Sequence, residues 1–238
     1  MEPRYAIYFV PAADTPLYRF GASVLGYDCR SGRETPFIDG ADASWPDWTR
    51  EPRVYGFHAT LKAPFRLAAG STESDLEHAV LAFAADYPAV LGGFLAVRAL
   101  GSFIALVPAT ACADINRLAD DCVRELDRFR APMTHEDRTR RLAGGLSPRQ
   151  IEHLDRWGYP YVFEDFRFHM TLTGSLAAPE RDRALQFLCG KFEQVPQAHT
   201  LLIDRVVIAR QERKSMPFIV IREVLLGQSA IRPYAYSF

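Results

Sequence analysis

A pattern of aromatic, His, apolar, Thr, Leu occurs twice in this chain, as Phe57-His58-Ala59-Thr60-Leu61 and as Phe168-His169-Met170-Thr171-Leu172. In an extended strand, successive side chains point to opposite faces. His58 and Thr60 then share one face, and Phe57, Ala59 and Leu61 the other. The second copy puts His169 and Thr171 on one face, with Phe168, Met170 and Leu172 behind them. Each copy offers a core-facing side and a side carrying an imidazole and a hydroxyl. The fold expected from this is one in which two such strands present their polar sides to a common cleft.

The surroundings of the two copies are alike. Residues 5–10 read as a strand ended by Pro11, followed by a helix capped by Asp14 or Thr15, with Pro16 in its first position and Gly26 at its end. Residues 30–52, rich in Gly, Pro, Asp and Trp, read as a long connection folded over the cleft. The first motif strand is predicted at 54–61. A helix follows, capped near Ser71 or Thr72, with Leu76, Ala79, Val80, Phe83 and Ala84 at helical spacing, and Pro88 stops it. Strands at 94–100 and 103–107 make a hairpin across Gly101-Ser102, and a second helix covers 114–129. The charged stretch 130–160 reads as a solvated helical linker, with a helix start at Ser147-Pro148. The second motif strand is predicted at 163–173. A helix from Pro179-Glu180 follows, then strands at 200–209 and 217–225 about a charged turn, and an irregular aromatic tail from Gly227.

The order motif strand, helix, strand, turn, strand thus occurs twice. It predicts one α+β domain over 1–238, with a first motif lobe at about 54–129, a helical linker at about 130–160 and a second motif lobe at about 163–225. A lone hairpin and helix bury too little to stand alone. Two such units packed face to face leave a groove between them.

Composition narrows the chemistry. A formal net charge of -1 gives no argument for non-specific nucleic-acid binding. The N-terminal Met1-Glu2-Pro3-Arg4 lacks the zones of a signal peptide, and no apolar run is long enough to span a bilayer. Cys29, Cys112, Cys122 and Cys189 are scattered, which predicts reduced thiols, no structural zinc and a cytoplasmic protein. No G-x-x-x-x-G-K-[ST] or G-x-G-x-x-G occurs, and no carboxylate stands near the motif histidines at metal-ligand spacing, so neither a metal nor a cofactor is expected. His78, His135, His153 and His199 read as surface residues.

Two imidazoles held in opposite protonation states near neutral pH suit phosphodiester cleavage, one taking a proton from the nucleophile and the other giving one to the leaving oxygen. The hydroxyls of Thr60 and Thr171 are placed to donate to non-bridging phosphate oxygens. Continued face alternation adds Lys62 and Arg167 as candidate phosphate cations. Tyr8 is a candidate from the first strand, with a core position as its alternative.

Paired H-x-T motifs, one per half, resemble the two-histidine (2H) phosphoesterase superfamily. The longer stretches from Tyr55 to Phe65, Trp157 to Tyr161 and Phe166 to Gly174 resemble a bacterial branch of it associated with phosphonate-metabolism operons. The resemblance implies a bilobal, pseudo-symmetric α+β fold, two antiparallel sheets facing a central cleft with helices outside. It also implies metal-independent catalysis by His58, Thr60, His169 and Thr171. The expected partner is a small phosphorylated substrate, a ribose cyclic phosphodiester in phosphonate catabolism. The alternatives are an RNA-end 2′,3′-cyclic phosphodiesterase or ligase, and a binding module for a phosphate ligand without turnover. The connections at 30–52 and 130–160 weigh against RNA, because both are placed to narrow the groove. Oligomeric state is left open.

Overall fold

The first strand, β1 (Arg4–Phe9), and the helix α1 (Pro16–Leu25) form where the sequence places them. The Thr15 hydroxyl accepts from the Tyr18 N–H and Pro16 fills the first turn, a cap of about 1 kcal/mol. The connection that follows is more ordered than expected. It holds a small hairpin of β2 (Tyr27–Asp28) and β3 (Arg33–Glu34) and two short helices, α2 (Trp45–Trp48) and α3 (Arg50–Arg53). Trp45 is fully buried and its indole N–H donates to Val24 O at 2.9 Å, which fastens this segment to α1. The computed structural model describes residues 2–227, so the tail beyond Gly227 lies outside the described residues.

The next elements are β4 (Ala59–Phe65), α4 (Glu73–Asp86), β5 (Val90–Leu100), β6 (Phe103–Pro108) and α5 (Ala113–Leu126). Thr72 and Asp75 form a reciprocal capping box at the start of α4. The β5–β6 hairpin turns at Leu100 and Phe103, as the Gly101-Ser102 signal requires. Segment 130–160 contains α6 (His135–Leu142) and α7 (Pro148–Trp157), the latter opened by Ser147-Pro148. Then come β7 (Met170–Thr171), α8 (Ala178–Glu193), β8 (Thr200–Ile203), β9 (Arg205–Gln211) and β10 (Ile219–Leu225). No helix among the described residues is long and apolar enough to cross a membrane.

The fold is α+β, built on one eight-stranded antiparallel sheet in the order β10-β9-β1-β4-β7-β6-β5-β8. Two points differ from the sequence reading. The expected pair of separate sheets is a single hydrogen-bonded sheet. Its halves are also not contiguous in the chain: the hairpin that follows β4 lies beside β7, and β9–β10 lie beyond β1 on the other side of β4. A strand has two edges, and those of β4 are taken by β1 and β7, so no later hairpin has an edge of β4 to join.

The expected strand 200–209 is interrupted at Asp204. β8 pairs with β5 at one edge, whereas β9 pairs with β1 and β10 six strand positions away. Six spacings in a flat sheet would span about 29 Å, and the step from Ile203 to Arg205 covers at most about 7 Å. The sheet is therefore curled until its ends approach. β5 accommodates the curl with a register shift between Leu91 and Gly93. It pairs with β8 through its first half and with β6 through its second.

Inside the fold, Lys62 is buried to 3% exposure and its ammonium donates to Asp127 Oδ1 at 2.9 Å and Val123 O at 3.3 Å. Burial lowers its pKa and Asp127 opposes that shift. Asp127 also accepts from Arg130, whose guanidinium reaches Arg156 O at 2.9 Å. This chain of contacts ties β4, the end of α5 and the end of α7 together. A buried ion pair is costly to break and cheap to replace with an apolar side chain. Asp127→Ala is expected to destabilise the protein by about 3 kcal/mol, whereas Lys62→Met changes stability by less than about 1 kcal/mol. Urea unfolding of both variants checks this, and equal losses would show that the charge of Lys62 does not need its partner.

Candidate active site

The two motif histidines sit one residue ahead of their strands rather than within them. The expected strand 54–61 begins only at Ala59, and the expected strand 163–173 is reduced to Met170–Thr171, with a 3-10 turn at Phe163–Asp165 before it. The backbone ahead of each His is used to hold the ring. His58 Nδ1 lies 2.9 Å from Gly56 O, and His169 Nδ1 lies 2.7 Å from Arg167 O. A carbonyl only accepts, so each Nδ1 carries the proton and donates it two residues back. Each Nε2 is then the nitrogen left for chemistry. The same bond occurs in both copies of the motif.

The aromatic of each motif anchors this backbone. Phe57 is fully buried against α1 at Gly21, where any added Cβ would lie 2.0 Å from the ring carbon Cγ. Phe168 is buried with its ring centre 6.4 Å from that of Phe9. Gly56 has φ +74, the left-handed region open to glycine, and a Cβ there would stand 2.4 Å from Cys29 Cβ.

The strands themselves bring the two copies together. β4 and β7 are adjacent, with Ala59 paired to Met170. Continuing that antiparallel register by one residue each way sets Thr60 opposite His169 and His58 opposite Thr171. Opposite residues point to the same side of a sheet, so all four share one face. The histidines lie on the diagonal, with Cβ separations of up to ~7–8 Å, room for one tetrahedral phosphate between them. Thr60 Oγ1 is 3.1 Å from His58 Nε2, and donates to it when the ring is neutral. Burial first, and the nearby His169 in addition, lower the His58 pKa to about 4 against the opposing Gly56 hydrogen bond. His58 is therefore neutral at physiological pH.

The three other candidates fall in different places. Tyr8 stands opposite Thr60 in the β1–β4 register, and its ring centre is 3.9 Å from that of His58. Its hydroxyl is buried with no hydrogen-bond partner among the described residues, and burial raises its pKa well above that of a free phenol. Lys62 is not brought to the histidines. The β1–β4 register shifts between the Tyr8–Thr60 and Ile7–Lys62 pairs, and this bulge breaks the alternation that would have kept Lys62 on the His face. The guanidinium of Arg167 folds back onto Glu164 O at 2.9 Å and Phe166 O at 2.7 Å, and it is the carbonyl of this residue that orients His169.

A cavity of about 760 Å³ opens beside the pair, reaching Thr60 and His169 and walled by Leu100, Phe103, Ile115 and Phe166. The Phe103 ring centre is 5.7 Å from that of His169. Sequence reasoning missed Phe103, Tyr55 and Tyr159 as neighbours of the site. Their signal was weak: Phe103 is one strand aromatic among several, Tyr55 lies in the predicted motif strand ahead of the motif itself, and Tyr159 lies in the segment taken as a linker. Of the four histidines read as surface residues, His153 is largely enclosed, with Nδ1 3.5 Å from Asp165. Among the described residues, no three His, Cys, Asp or Glu side chains gather as a metal ion would require.

Comparison with known proteins adds two findings. Two curated relatives, each called ribose 1,5-bisphosphate phosphokinase PhnN, are 38% identical to this chain. The one from Janthinobacterium sp. (strain Marseille) matches over 226 residues, 91% of this chain and 49% of its own length. The one from Laribacter hongkongensis (strain HLHK9) matches over 173 residues, 73% of this chain and 40% of its own. The chain thus spans about half or less of the relatives it matches. The family model described as protein of unknown function DUF1045 matches residues 60–219, a span that holds Thr60, His169 and Thr171 and stops just short of His58. On that match, the chain belongs to the DUF1045 family.

Proposed function

We propose that the chain is a metal-independent phosphodiesterase of the two-histidine type, acting on a small ribose cyclic phosphodiester. In this reading the half-sheets β10-β9-β1-β4 and β7-β6-β5-β8 are the two lobes of the 2H fold. The observation that carries it is the matched pair of Nδ1–H bonds to the carbonyls of Gly56 and Arg167. These bonds fix both rings in the same tautomer, with Nε2 as the reactive nitrogen of each, on adjacent strands. His58, held neutral, is the general base, and His169 in its protonated form is the general acid.

The step is an in-line displacement. A water oxygen bonds to phosphorus as its proton passes to His58 Nε2. The bond from phosphorus to one of the two ribose hydroxyl oxygens it bridges breaks on the opposite side, and that oxygen takes the proton of His169 Nε2. The products are a phosphate monoester and a free hydroxyl, and one proton transfer from His58 to His169 through solvent resets the pair. The Thr171 hydroxyl donates to an equatorial oxygen, where charge builds in the transition state, and the Thr60 hydroxyl turns to another as His58 Nε2 takes the proton from water.

The names of the relatives support a ribose phosphate as the substrate class. A ribosyl 1,2-cyclic phosphate that also carries a 5-phosphate opens to ribose 1,5-bisphosphate, the compound in those names. The G-x-x-x-x-G-K-[ST] loop that cradles nucleotide phosphates does not occur in this sequence, and the kinase activity in the same names forms no part of the proposal. A role in phosphonate catabolism is part of the same proposal. The second reading, an RNA-end 2′,3′-cyclic phosphodiesterase, is favoured by the size and aromatic walls of the 760 Å³ cavity, which has room for a nucleobase.

His58→Ala and His169→Ala are each expected to lower turnover by about 10²–10⁴-fold. Phosphorus NMR on ribose cyclic phosphates, 2′,3′-cyclic nucleotides and short RNAs ending in a cyclic phosphate identifies the substrate. Near-normal turnover by either variant would sink the mechanism.

The pH profile tests the division of roles. A group with a depressed pKa stays deprotonated as pH falls until that pKa is reached, so kcat/KM is expected to hold through mildly acidic pH and to fall with a midpoint near pH 4 as His58 gains a proton. An acid limb at the ordinary imidazole value, ~6.5, would remove His58 from the role of base.

A further inference from the structure

The proposed site has two histidines and two threonines, and both cations expected from face alternation have their charged groups engaged by other partners, although Arg167 lines the cavity beside His169. Lys62 is bound to Asp127 and Val123 O, and the Arg167 guanidinium to two carbonyls. The structure offers a different cation, from the segment read as a solvated linker.

Arg141 lies in the last turn of α6. The other arginines of that helix are engaged: Arg138 grips Asp155 with both arms, at 2.6 and 2.8 Å, and Arg140 pairs with Asp137. The Arg141 guanidinium makes no hydrogen bond or ion pair among the described residues. It is half-buried, with its guanidinium carbon 5.3 Å from the ring centre of Tyr159. Burial lowers its pKa, and the neighbours that oppose this include Tyr159 and Tyr55. Tyr55 in turn has its ring centre 6.1 Å from that of His58.

A second group on the same aromatic wall is also without a partner. The Tyr8 hydroxyl is fully buried and unbonded, on a ring packed against His58. Tyr55 and Tyr159 lie within electrostatic reach of Tyr8 as well as of Arg141. A forked cation over Tyr159 and a phenolic donor against His58, both unpaired among the described residues, match the needs of a phosphate: the guanidinium spans two oxygens and the hydroxyl donates to a third.

We infer that Arg141 and the Tyr8 hydroxyl bind the phosphate group of the substrate, so that helix α6 closes the site and supplies its cation. The inference rests on the reading of the histidine pair as a phosphate site. It also gives segment 130–160 a function, one that depends on α6 being held by Arg66 and Asp137, whose charged atoms are 3.6 Å apart.

Binding of inorganic phosphate, followed by calorimetry, tests this without requiring turnover. Arg141→Gln should raise the phosphate Kd about tenfold or more, and Arg141→Lys, which keeps the charge but loses the fork, should weaken it less. Tyr8→Phe should weaken binding a few-fold with folding intact, and Arg138→Gln on the same helix should leave it unchanged. Unaltered affinity in Arg141→Gln, equal loss in Arg138→Gln, or no binding of millimolar phosphate by the unmodified protein would each overturn the proposal. If Arg141→Gln loses helical signal by circular dichroism, Arg141→Lys decides, and wild-type affinity there rejects the fork. Failure of the hydrolase reading looks different: phosphate binding stays dependent on Arg141, while no cyclic phosphate is turned over.

Discussion

One strand pairing holds the candidate site together. Ala59 faces Met170 across the junction of β4 and β7, and this is where the two halves of the sheet meet. A histidine precedes each of these residues and a threonine follows it. The antiparallel register therefore sets each histidine against the other copy's threonine. A shift by one residue would send every motif side chain to the opposite face. Such a short junction is held in register by what lies behind it. Phe57 on Gly21, Phe168 near Phe9, and the fully buried Met170 and Leu172 are all in the core.

The backbone does much of the chemical work. Neither imidazole is oriented by a carboxylate; both are oriented by peptide carbonyls two residues upstream. A carbonyl fixes the tautomer as a carboxylate would, but brings no full negative charge to favour the imidazolium. That is consistent with a His58 pKa governed by burial and lowered to about 4. The two copies of the motif are alike in covalent pattern and in the Nδ1 hydrogen bond, and they differ in the Thr60 contact to His58 Nε2 and in surroundings: Tyr8 and Tyr55 on the side of His58, Phe103 and the large cavity on the side of His169. In the proposed mechanism, this asymmetry lets one pattern serve as base in one copy and acid in the other.

Local signals in the sequence were dependable where the chain decides its structure locally. The cap and first-turn proline of α1, the capping region of α4, the Gly101-Ser102 hairpin and the Ser147-Pro148 start all appear in the structure. The His and Thr pairs were legible because a repeated period-two pattern carries its own face assignment. What escaped depends on contacts between distant segments. The bulge after Thr60 arises from pairing with β1, and it turned Lys62 from a candidate ligand into a buried partner of Asp127. The break at Asp204 follows from closure of the sheet and has no strong breaker residue to announce it. The charge of segment 130–160 suggested a solvated face, and most of its arginines do pair at the surface; only the position of Tyr159 reveals that Arg141 differs.

The exchange of hairpins between the halves has a consequence for how the chain comes into being. β1 needs β9 on one side, and β9 comes some two hundred residues later in the chain. The first motif strand is made early, yet the half-sheet around His58 stays open until the last hairpin has left the ribosome. Pairings of such long sequence separation are slow to form and leave strand edges exposed while they wait. The emerging chain therefore carries an unfinished, adhesive sheet until β9 and β10 are made, and the two halves of the site mature together.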